Sequence, residues 1–147
     1  MTDLEFEIIG HPQPAGSKRA FAIRQAGDLT GRTAVADANP KARSWQHQVT
    51  SAAPHLEQLL QGPLGLEVTF MLARPVGHYG SGRNRHRLRP SAPPYPAVRP
   101  DVTKLLRGVE DALTGVLWRD DAQIVTQTAR KLYSEPEGAH IRVWCHA

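Results

Sequence analysis

Asp101, Asp120 and Asp121 are the residues in this chain best suited to do chemistry. They lie in the stretch RPDVTKLLRGVEDALTGVLWRDDAQIV, residues 99–125, with Lys104 and Arg107 between them. Hard divalent cations such as Mg2+ are held by one or two carboxylates together with phosphate oxygens and water. A cation so held activates a water and stabilises the leaving oxygen of a phosphodiester. A neighbouring Lys104 or Arg107 would offset further charge on the phosphate. The acids can share one ion only if the fold brings their oxygens within about 4–5 Å of each other. The same residues also have a purely structural reading, with Asp101 as a helix cap and Asp120-Asp121 as a turn. Other chemistries lack their residue patterns. Cys145 is a lone thiol, the seven His residues show no zinc spacing, and neither a GxGxxG nor a GxxxxGK(S/T) loop is present.

The elements that must position these acids can be read from periodicity. Val102, Leu105, Leu106, Val109, Ala112 and Leu113 form one apolar face, so a helix follows Pro100. Asp101 is placed to cap that helix and Gly115 to close it. Gln123–Tyr133 reads as a strand, Ser134–Gly138 as a turn, and Ala139–Trp144 as a strand pairing directly and antiparallel with the previous one. Upstream, Leu4–Ile8 alternates as a strand. Gly10–Arg19 is a Pro/Gly loop ending in Lys18-Arg19, whose amides and cations could hold a phosphate. Phe21–Arg24 and Thr33–Ala36 flank Gly27–Gly31 as a short hairpin. Asn39-Pro40 opens a second helix carrying the stripe Trp45, Val49, Ala52, Leu56 and Leu59, kinked or divided at Pro54. Leu66–Leu72 is another strand, and 74–98 is a long Pro/Gly-rich loop. The expected fold is one α+β domain over residues 1–147, a mixed or antiparallel sheet of four or more strands with two main helices against it.

Charge is placed unevenly. The chain of 147 residues carries a net +4, yet residues 74–107 hold eight Lys/Arg against the single acid Asp101. Such a block attracts polyanions. Arg83, Arg85, Arg87 and Arg89 read as a basic arm that orders on a phosphate backbone, with Lys18, Arg19, Lys104 and Lys131 as further DNA contacts. A basic loop that docks an acidic protein is the alternative outside nucleic acid. One cysteine excludes an internal disulfide framework and points to a reducing compartment. No apolar run approaches the roughly 18 residues of a membrane span. The N-terminal MTDLEFEIIG is acidic and alternating, unlike a leader. A cytoplasmic or nucleoid setting is expected.

Arg99-Pro100-Asp101, Leu105-Leu106-Arg107, Asp111-Ala112-Leu113-Thr114-Gly115 and Asp120-Asp121-Ala122-Gln123 follow one another in order and spacing. In these blocks the sequence resembles the RusA family of Holliday-junction resolvases. The resemblance implies a homodimeric, Mg2+-dependent endonuclease (Mn2+ as a substitute) that cuts branched DNA such as four-way junctions at paired positions. It implies that Asp101, Asp120 and Asp121 are metal ligands and catalytic, with Arg107 in place of a catalytic lysine. A guanidinium keeps the charge of that lysine but not its shape. Thr103-Lys104 stand where the family pattern has Asp-Asn, so one metal-ligand carboxylate is lost. The chain would then work with the remaining acids, draw on Glu110, or bind branched DNA without cutting it.

Overall fold

The computed structural model describes residues 3–16, 18–37 and 39–146, and the backbone alone for 18–21, 23 and 34–37. The main elements follow in the order β1 (Asp3–Ile9), β2 (Lys18–Gln25), β3 (Asp28–Asp37), α1 (Ala42–Ala52), β4 (Leu64–Leu72), α2 (Val102–Leu113), β5 (Ile124–Tyr133) and β6 (Gly138–Cys145). β1, β6, β4 and β5 lie side by side in that order in one mixed sheet, and β2 and β3 form a separate hairpin. This is the expected small α+β fold, with both helices on one face of the four-stranded sheet.

β4 is the centre of the sheet. Leu64, Leu66, Val68, Phe70 and Leu72 alternate onto the helix face and are all buried. Trp45 and Val49 of α1, then Leu105, Leu106, Val109, Ala112 and Leu113 of α2, close the same core with Ala139, Ile141 and Val143 of β6. The helices are also tied directly, Thr50 Oγ1 donating to Ala112 O at 3.0 Å. Trp45 is therefore a core residue.

The structure corrects several expectations. β5 and β6 do not pair with each other: β4 lies between them, parallel to β5 and antiparallel to β6. The physical reason is burial. β4 is apolar at every helix-facing position, which suits a centre, while β5 places Gln127 and Lys131 on that face and suits an edge. The connection crosses the end of β4, with Ser134 N donating to Leu72 O at 3.0 Å. α1 ends at Ala52 and does not resume, because Ala53 turns extended ahead of Pro54; Leu56 packs on the core from a loop. α1 also begins later than expected. Asn39 Oδ1 accepts from Lys41 N at 3.1 Å in a turn before the helix, and Lys41 is the N-cap. The hairpin is longer than expected and turns at Ala26-Gly27, both with positive φ, the geometry of a tight turn between twisted strands. Lys18 and Arg19 belong to β2 rather than to a loop end, and their side chains lie outside the described residues.

Candidate active site

α2 fixes where the acids stand. Asp101 occupies its N-cap position, and Asp101 O accepts from Leu105 N at 3.0 Å. Its carboxylate makes no capping bond, contrary to the expected cap, and it is exposed. It lines an open cleft of about 500 Å³ together with His11, Pro12, Gln13, Pro14, Arg99, Pro100 and Lys104. The cleft forms because the 10–16 segment lies along α2. Ala15 N donates to Lys104 O at 3.0 Å, and Gly108 leaves room for that approach, since a Cβ there would stand 3.2 Å from Gln13 O. In the same cleft the His11 Nδ1 is paired with the Glu137 carboxylate.

Asp120 and Asp121 stand at the other end of the helix. Trp118 is fully buried, and its Nε1 donates to Asp121 Oδ1 at 3.1 Å. Thr114 Oγ1, at the helix C-cap, donates to the same oxygen. Neither bond uses Oδ2. Asp120 caps the single turn 121–123, its Oδ1 accepting from Ala122 N at 2.8 Å. Gln123 locks that turn. Its Oε1 accepts from Arg119 N at 3.0 Å and Asp120 N at 3.1 Å, and its Nε2 donates to Leu60 O at 3.0 Å and Gly62 O at 3.1 Å. Glu110 is half-buried on the last turn of α2. Burial, then the nearby Asp121 and Asp111 charges, hold its carboxyl above the ordinary 4.5, with Arg107 opposing them.

The two groups of acids do not meet within one chain. Asp101 and Thr114 bracket the helix, and 13 residue steps at about 1.5 Å each separate them by roughly 20 Å. Among the described residues no three His, Cys, Asp or Glu side chains are gathered closely enough to hold a metal ion. A single copy therefore does not fit the expected metal site.

Among the described residues the cations near the acids and in the basic loop are either exposed or tethered to main chain. Lys104 and Arg107 are exposed on α2, and so is Thr103. The basic loop is not an open arm: Gly80 N donates to Arg87 O at 2.9 Å and Arg89 N to His78 O at 2.8 Å, closing it on itself. Arg89 Nε donates to Tyr79 O at 2.7 Å, so this arginine is part of the loop's frame. Arg83, Arg85 and Arg87 are exposed around it. Lys131, expected at DNA, has its ammonium against two main-chain carbonyls, Val98 O at 2.8 Å and Pro100 O at 3.0 Å.

Over residues 12–144 the sequence matches the family described as Endodeoxyribonuclease RusA. The chain belongs to this family. An uncharacterised Bacillus subtilis (strain 168) protein, YqaN, is 25% identical to it over 144 residues, 97% of this chain and 96% of that protein. Family membership makes the acidic stretch part of a nuclease fold. Three residues that sequence reasoning left without a role have one in the structure. Gln123 is a four-bond lock on the Asp120-Asp121 turn, and Thr114 and Trp118 orient Asp121. The signal for Trp118 was present: a buried indole N–H needs an acceptor, and Asp121 is three residues away.

Proposed function

We propose that the chain is a divalent-metal-dependent endonuclease that cuts branched DNA, such as a four-way junction, as a homodimer. Each site would be assembled from Asp101 of one copy and Asp120-Asp121 of the other. The observation that carries this reading is the roughly 20 Å of α2 between two acidic groups in a chain of an endonuclease family. A two-fold axis across α2 brings the start of one helix to the end of its mate, and by symmetry it does so twice. Two equivalent sites on one particle are what paired cleavage of a junction requires. β5 is an edge strand, and Val125, four residues past Asp121, is 61% exposed, so this flank of the chain is open to a second copy. No helix among the described residues is long and apolar enough to cross a membrane.

In this assembly Asp101, Asp120 and Asp121 would supply the carboxylates, and Lys104 and Arg107 would offset charge on the phosphate. A bound Mg2+ or Mn2+ would activate the attacking water and neutralise the leaving oxygen. Arg83, Arg85, Arg87 and the β2–β3 hairpin with Lys18 and Arg19 would follow the DNA backbone. The test is cleavage of a synthetic four-way junction with Mg2+ by the parent, Asp101→Asn and Asp121→Asn. Paired nicks in the parent and a loss of at least about 100-fold in each variant are expected; nicks that persist in both variants refute the assignment.

A second reading rests on Thr103. With a hydroxyl where the family pattern has a carboxylate, the protein would bind branched DNA without cutting it. That reading predicts salt-dependent junction binding and no product with either Mg2+ or Mn2+.

A further inference from the structure

Lys131 is half-buried on β5 and pairs in register with Phe70, so its side chain leaves the sheet on the helix face. Its ammonium reaches the segment that leads into α2, 2.8 Å from Val98 O and 3.0 Å from Pro100 O. A lysine has three donors and no acceptor, so two of its three N–H groups are spent on main chain. The two carbonyls bracket Arg99, and the second belongs to the residue before Asp101. Asp101 has no side-chain capping bond to hold it. The direction of its carboxylate is therefore set by how the chain enters α2, and Lys131 is the tether at that entry.

We infer that Lys131 is a positioning residue, which fixes Asp101 by clamping the 98–100 segment to the sheet, and is not a DNA contact. The inference rests on the proposed role of Asp101 at the site. Displacing a reacting group by about 1 Å costs on the order of 100-fold in rate, so the clamp bears on cleavage without touching DNA. A DNA contact would do the opposite, changing affinity and its salt dependence.

Full-length Lys131→Met and Lys131→Arg separate the two. Measured are the cleavage rate at saturating four-way junction, the junction Kd as a function of salt, the melting temperature, and amide exchange at Leu105, whose N–H closes the first turn on Asp101 O. Lys131→Met is expected to cut about 10–100-fold more slowly. Its Kd and salt slope should match the parent's, and exchange at Leu105 should be faster. Lys131→Arg, which can still reach both carbonyls, should restore most of the rate. A Lys131→Met that cuts at the parental rate overturns the inference. So does a weaker Kd with a shallower salt slope and an unchanged saturated rate. If the parent itself makes no cut, the nuclease reading fails, and the exchange measurement decides Lys131 alone: unchanged protection at Leu105 in Lys131→Met overturns the clamp, and lost protection with a near-parental melting temperature supports it.

Discussion

Gln123→Ala should unlock the Asp120-Asp121 turn at a calculable cost. The amide makes four bonds, two accepted from Arg119 N and Asp120 N and two donated to Leu60 O and Gly62 O. The bond to Leu60 is partly buried and the other three face solvent. With about 1–1.5 kcal/mol for the sheltered bond and about 0.5 kcal/mol for each of the three exposed ones, the loss is about 2.5–3 kcal/mol. For a chain of this size that corresponds to a fall in melting temperature of about 5–10 °C, readable by circular dichroism. Gln123→Glu separates the two halves of the lock. A carboxylate keeps both accepted bonds, cannot donate to Leu60 O or Gly62 O, and adds a like charge beside Asp120 and Asp121. It should be at least as destabilised as the alanine variant at neutral pH and recover in acid, once protonated. A Gln123→Ala protein melting within about 1 °C of the parent would refute this account of the turn.

Four further outcomes follow from the same geometry. Glu110 has a carboxyl pKa raised in the fold, so the folded state binds more protons than the unfolded one just above the ordinary 4.5. Stability should then fall as pH rises from 4.5 through the raised value and stay reduced above it. Glu110→Gln should flatten that dependence and melt higher at neutral pH; an unchanged pH profile would sink the assignment. Replacing Arg83, Arg85 and Arg87 together by Gln should lower the salt slope of junction binding by about 2–3, one unit or slightly less per phosphate contact, with the fold intact. Replacing Arg89 alone should instead loosen the loop, seen as faster proteolysis there. Thr103→Asp restores a carboxylate at the Asp101 end of the helix and is expected to raise the cleavage rate, or to create cleavage if the parent only binds; an unaltered rate would show that the site does not lack this ligand.

The sequence made much of the fold legible because apolar period and burial agree. The stripe on α2 and the alternation in β4 had one consistent solution, and Gly115 ended the helix where its positive φ allows. Strand order was not legible. A turn at 134–137 suggests a hairpin, and only the all-apolar helix face of β4 shows that β4 must sit between β5 and β6. The end of α1 was misread because Leu56 and Leu59 continue the helical spacing by chance, whereas Leu56 packs on the core from a loop. For the site, the acids themselves stood out, but spacing along a chain does not say which oxygens converge. Lys131 illustrates the limit. As a basic residue in a chain of this family it invites a phosphate contact, and only the structure sets its ammonium against the carbonyls of Val98 and Pro100.

The division of the acids between two copies is tested most directly by mixing two dead variants. Asp101→Asn and Asp121→Asn proteins are unfolded together, refolded at equal ratio and given a four-way junction with Mg2+. If each site combines Asp101 of one copy with Asp121 of the other, half of the dimers are mixed and each holds one intact site, about one quarter of the parental number. Activity should return as single nicks at about that level. If the acids act within one chain, every site in the mixture carries a substitution, and the absence of any restored nicking would contradict the account.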